Sequence, residues 1–181
     1  MRTLILFLVL VASGASARAT TLVPADLGEL SRDAQAIVRG RVVGLDAQWT
    51  EDRGTIETIV TLEVESYIKG ALGPTLRFRT PGGDLGRYRS IVVGAPEFVL
   101  DEHVVVFVGA RGPAVPYVLG LSQGVFRLGR SNAGDDWVVT SPVPPAAANR
   151  AAPVVRGDAS RRPLPLGEFE LRVRALAAGA R

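Results

Sequence analysis

The run TIETIVTLEVESYIKG, Thr55 to Gly70, decides how this chain is read. Ile56, Thr58, Val60, Leu62, Val64 and Ile68 fall on one face of an extended strand. Glu57, Thr61, Glu63, Glu65 and Lys69 fall on the other. Alternation with period two means a β-strand with one buried face and one wet face.

The neighbouring stretches extend the same pattern. AIVRGRVVGLDAQW, Ala36 to Trp49, is rich in valine and interrupted by Gly40 and Gly44, which suits a strand that must bend. The cluster Thr50 to Gly54 makes a turn between the two strands. After a turn at Gly70 to Pro74, TLRFRT places Leu76 and Phe78 inward and Arg77 and Arg79 outward. Pro81-Gly82-Gly83 ends that strand, and Gly83 to Leu100 reads as an irregular loop. HVVVFVGA, from His103, is apolar on both faces and therefore central or covered twice. YVLGLSQGVFRLG and DDWVVT complete the β region, with a hairpin turn at Ser131 to Asp135. About five to six strands with no helix between them predict an all-β fold, a small antiparallel OB-like barrel rather than an α/β sheet.

Helices are expected only at the ends. Asp26 caps a short helix, with Glu29 three residues on and Leu27 and Leu30 as its apolar face. Near the C-terminus, Leu166, Phe169, Val173 and Leu176 recur at spacings of three and four, and Gly179 ends the helix. This stripe is expected to pack on the barrel, the alternative being a partner.

The N-terminus carries Arg2, an unbroken apolar run from Leu4 to Ala12, and small residues at Ala17 and Ala19. These predict a secretory signal peptide cleaved after Ala19 and a periplasmic or secreted protein. No segment is long enough for a membrane span. The expected organisation is a signal peptide at 1–19, a barrel domain at 20–140, a Pro/Ala-rich linker at 141–165 and a terminal helix at 166–181.

Composition excludes several chemistries. The chain has no cysteine and one histidine. Disulfides, thiol catalysis and a multi-histidine zinc site are all ruled out. The formal net charge of +3 comes from the ends. Residues 20–149 hold 12 basic against 15 acidic side chains. A mildly acidic barrel argues against nucleic acid as a ligand.

Ala36 to Val43, Thr61 to Gly70 and Leu76 to Gly83 resemble a group of uncharacterised exported bacterial proteins. More distantly they resemble the netrin-like modules of tissue inhibitors of metalloproteinases. The likeness covers roughly residues 34 to 128 and implies a five-stranded, partly open OB-type barrel. Those inhibitors present an N-terminal cysteine to the protease zinc. This chain has no cysteine, so the resemblance transfers no functional residue.

GLSQG, Gly120 to Gly124, spells the G-x-S-x-G of a serine hydrolase turn. That chemistry needs a helix after the serine and a histidine further on. A strand-like run follows instead, and no histidine lies beyond Ser122. The two glycines are expected to shape a bend in a barrel strand, and no catalytic residue is assigned. Asp101 and His103 would share a strand face as a dyad or half a metal site, with Asp84 or Glu97 as a third ligand. The other reading is a polar turn leading into a strand, and neither metal nor cofactor is expected. Arg77, Arg79, Arg87, Tyr88 and Arg89 remain as candidate binding residues, since long loops on rigid barrels carry function. The expected function is an exported non-catalytic module that binds a protein or polymer outside the cytoplasm. The alternatives are an envelope assembly protein acting through its C-terminal tail and, third, a hydrolase using Ser122.

Overall fold

The computed structural model describes residues 25–110, 112, 114–130, 137–140 and 163–179. The expected signal peptide, the Ser131–Asp135 turn and linker residues 141–162 lie outside them.

Helix α1 spans Leu27–Asp33, and the Asp26 carboxylate accepts from the backbone N–H groups of Gly28 and Glu29. This satisfies two of the orphan donors of its first turn. Strand β1 (Ala36–Trp49) and strand β2 (Ile56–Lys69) then form a long antiparallel hairpin. Strand β3 (Thr75–Pro81) continues the sheet, and the short β4 (Gly83–Leu85) and β5 (Tyr88–Ser90) make a separate hairpin. Strand β6 (His103–Gly109), β7 (Tyr117–Val118), a 3-10 turn (Leu121–Gly124), β8 (Val125–Arg130) and β9 (Trp137–Thr140) follow. Strand β10 (Leu164–Pro165) leads into helix α2 (Leu166–Ala178).

The fold is mostly β, with an eight-stranded sheet and two helices. The order is β1-β2-β3-β7-β6-β8-β9-β10, and β1 also pairs with β6. Five strands therefore form a partly closed ring. Its thinnest seam is β3–β7, a parallel contact with one register pair, Arg79 against Tyr117. The expected five to six strands undercount the sheet because β6 divides one of its edges. One side pairs with β1 from His103 to Val108. The other side pairs with β8 at Val104 to Val106 and with β7 at Val108 and Gly109. The β7 branch closes the ring, while β8, β9 and β10 carry the sheet past it.

Two apolar clusters result. The ring encloses Ala36, Val38, Val42, Val60, Leu62, Leu76, Phe78, Val104, Val106 and Val108. Outside it, Ile37, Ile68, Val105, Phe107, Phe126 and Val139 meet Leu30 of α1 and Phe169 and Val173 of α2. The terminal stripe thus packs within the chain, as expected. Arg39 of β1 adds an ion pair of 2.9 Å to Glu170 of α2.

Three details depart from the sequence expectation. Glu65 is an extra residue in β2, skipped between the pairs Gly40–Val64 and Arg39–Ser66. Such a bulge shifts the alternation by one. Tyr67 consequently packs against the ring cluster, and Ile68 turns to the helix side. Gly83 to Leu100 is not wholly irregular, because it contains the β4–β5 hairpin. The last residues of the expected linker, Leu164 and Pro165, pair with β9.

The turn between β1 and β2 is built on Asp52. The Thr50 hydroxyl and the Gly54 N–H hold its carboxyl below the usual carboxylate range. Such a group favours the folded state above its unfolded pKa, and the effect fades as pH falls through the folded value. Thr50→Val should raise the Asp52 midpoint in an NMR titration, and an unchanged midpoint contradicts the assignment. Phe169→Ala should cost about 3–5 kcal/mol in urea unfolding, because it empties the centre of the helix-side cluster. A loss under about 1 kcal/mol would mean that α2 is not docked there.

Candidate functional site

Strand β3 delivers Leu76, Phe78 and Thr80 to one face, and beyond Phe78 the ring opens at a mouth lined by Thr80 and Pro81. There the chain leaves β3 through Gly82 and Gly83, both at positive φ, and folds back as the β4–β5 hairpin. Gly83 packs so closely that a Cβ would lie 2.4 Å from the Thr58 hydroxyl oxygen. The Thr58 hydroxyl in turn donates to the Gly82 carbonyl at 2.8 Å. Glycine is required here because the hairpin must lie directly on the strand ends.

Between the hairpin, the loop 91–98 and the ends of β1, β2 and β3 is a cleft of about 370 Å³. Leu45, Ala47, Thr80 and Phe98 form part of its wall, with Asp84, Arg89 and Glu97 among its charged members. Phe98 closes on Phe78 edge to face at 5.5 Å, which joins the loop to the ring interior. Thr80 is buried, and its hydroxyl oxygen has no hydrogen-bond partner among the described residues. Buried polar atoms are rarely left so.

The five expected binding residues are divided. The Arg87 guanidinium donates to the Tyr88 hydroxyl at 2.7 Å and lies 4.9 Å from the ring centroid. Tyr88 meets Trp49 edge on at 5.3 Å, which ties the hairpin to the end of β1. Arg89 lines the cleft and is paired at 3.3 Å with Asp84, both well exposed. Surface pairs of this kind contribute little to stability. Arg77 and Arg79 project from β3 on the face opposite Phe78 and Thr80, and no side-chain hydrogen bond or ion pair among the described residues links them to the hairpin.

The remaining motifs resolve differently. GLSQG is a 3-10 turn between β7 and β8, not a bend within a strand. Gly120 and Leu121 both have left-handed φ, at 63° and 55°. Gly124 leaves no room for a Cβ, which would sit 2.0 Å from the Leu119 carbonyl oxygen. The Ser122 N–H donates to the Gly94 carbonyl at 2.9 Å, so the turn buttresses the 91–98 loop from behind. Asp101 and His103 do not form the dyad. Asp101 lies in a left-handed turn and pairs with Arg41 at 2.7 Å. His103 opens β6, with Nδ1 2.6 Å from Glu65 and its ring 4.6 Å from that of Trp137. No group of three or more acidic or histidine side chains is placed to hold a metal among the described residues.

The exposed apolar residues of the 91–100 loop are not among the residues the sequence singles out. Ile91 is 76% exposed, and Val93, Val99 and Leu100 are each more than half exposed. The available signal was IVVGAPEFVL itself, an apolar run in a segment without strand alternation. Comparison with protein-family models, curated proteins and solved structures finds no match for this chain.

Gly124→Ala should cost about 2 kcal/mol or more, because backbone must move to admit the methyl group. Ser122→Ala should stay within about 0.5 kcal/mol of the parent. Equal losses in denaturant unfolding would contradict the turn geometry.

Proposed function

We propose that this chain is an exported, non-catalytic binding module that holds a protein or polymer ligand outside the cytoplasm. The observation that carries the proposal is the cleft at the mouth of the ring. It is concave, it joins polar and apolar walls, and it is built from a hairpin and a loop on a rigid sheet. Binding sites favour this combination. We take the ring as an OB-type barrel, since five strands return on β1. The extra strands β8 to β10 then extend that barrel.

Export is supported by the N-terminal sequence, with its apolar run from Leu4 to Ala12 and small residues at Ala17 and Ala19. Because α2 buries Phe169 and Val173 within the chain, we place the ligand on the barrel and not on the tail. Nucleic acid is a poor fit, since Arg89 is paired and Arg77 and Arg79 lie on a different surface from the cleft.

Two measurements test the proposal. The protein recovered from the extracytoplasmic fraction should begin at Thr20 when sequenced from its N-terminus. A cytoplasmic protein retaining Met1 would contradict export. A photo-crosslinking residue at Ile91 should capture the extracytoplasmic ligand, and the same group at Leu171, exposed on α2, should not. Capture from Leu171 alone would move the site to the C-terminal helix.

A further inference from the structure

Past its pairing with β6, one edge of β1 has no paired strand among the described residues. Its pairing with β6 ends at Arg41 opposite His103. Val42 still reaches that side, since its N–H donates to Glu102 and its carbonyl accepts from Asp101, both at 2.9 Å. Beyond it no backbone hydrogen bond joins Leu100 or Val99 to β1 among the described residues.

The direction of the next peptide groups follows from both ends of the strand. In an antiparallel pair, residues alternate between facing the partner and facing away. Val42 faces away from β2. Val43 is skipped in the register, and Gly44 pairs with Thr61. At the far end the Thr50 N–H donates to the Thr55 carbonyl, so Thr50 faces β2 and Trp49 faces away. Leu45, Ala47 and Trp49 therefore all direct N–H and C=O groups to the open side. None of these groups has a hydrogen-bond partner among the described residues.

We propose that the edge of β1 from Leu45 to Trp49 accepts an extended segment of another polypeptide as an added strand. This inference rests on the binding-module proposal and names its ligand class. Outward peptide groups on alternate residues recur about every 7 Å, the spacing at which a second strand offers its own. An oligosaccharide has no matching repeat of alternating donor and acceptor. Leu45 and Ala47 also line the cleft, so alternate side chains of an added strand would enter it. Ile91, Val93, Val99 and Leu100 supply exposed aliphatic surface on the loop beside this edge. Main-chain bonds with pockets for alternate side chains are how strand addition combines affinity with specificity. Asp46 and Glu97 have no ion-pair partner among the described residues, which favours a segment carrying cationic side chains.

The test uses the full chain and the peptide acetyl-Lys-Val-Thr-Val-Thr-Val-Lys-amide. Amide hydrogen exchange at Leu45, Ala47 and Trp49 should slow at least tenfold when the peptide is added. The same peptide N-methylated on alternate residues should have no effect at equal concentration. Ala47→Pro should weaken binding at least tenfold with Tm little changed, because that N–H makes no bond within the sheet. Exchange unaltered by millimolar peptide overturns the proposal, and so does equal binding of the N-methylated form. Protection of the three amides in the free monomer would show that this chain covers its own edge. Protection that grows with protein concentration would show a second copy there, and either result overturns the proposal. Chitohexaose that shifts Thr80 and Phe98 signals while the edge amides stay unchanged would sink strand addition and leave the binding module standing.

Discussion

Strand β6 is the element on which the rest depends. Val104, Val106 and Val108 fill the ring, and Val105 and Phe107 fill the space beneath the helices. All five are fully buried. A strand covered on both faces cannot slip by one residue without exchanging the contents of two cores. It also pairs with three other strands and so fixes where the ring closes and where the sheet continues. The helices are thus not appendages, since α1 and α2 cover the outer face of the strand that the ring encloses from within.

Bulges set the shape around it. A long two-stranded hairpin must coil to return on itself, and extra residues sharpen the local twist. Val43 in β1 and Glu65 in β2 are such residues. Glycine at position 40 lets the strands approach there, since a Cβ would stand 2.3 Å from the Glu63 carbonyl oxygen. The Glu65 bulge has a second effect. It brings the carboxylate between Arg39 and His103, at 3.1 and 2.6 Å. Arg39 also reaches Glu170, so a feature that bends the sheet anchors the C-terminal helix as well.

Much of this was legible in the sequence. The alternation in β2, the double-faced apolar run of β6, the Asp26 cap and the stripe of α2 each follow from local periodicity. Ile68 was misplaced because periodicity counts residues and does not see a bulge. The eight-stranded sheet was undercounted because a divided edge on β6 leaves no mark in any one segment. The site was less legible for the same reason. Leu45, Ala47, Thr80 and Phe98 come from separate elements, and only closure of the ring brings them to one cleft. Arg89 lines the cleft, whereas Arg77 and Arg79 are near it only in sequence, since the alternation of β3 turns them away from Phe78 and Thr80. GLSQG shows the converse. Gly124 answers to the Leu119 carbonyl oxygen and Gly120 to a left-handed φ, both of them demands of the backbone.

Native-state amide exchange of β6, followed by NMR in rising denaturant, tests the joining of the two cores most directly. The Val104 to Val108 amides should exchange only through global unfolding, with the denaturant dependence of the whole chain. Amides of α2 and the ring interior should converge on the same free energy as denaturant rises. Exchange of β6 through a smaller opening, with ring and helix layer unfolding independently, would contradict the account.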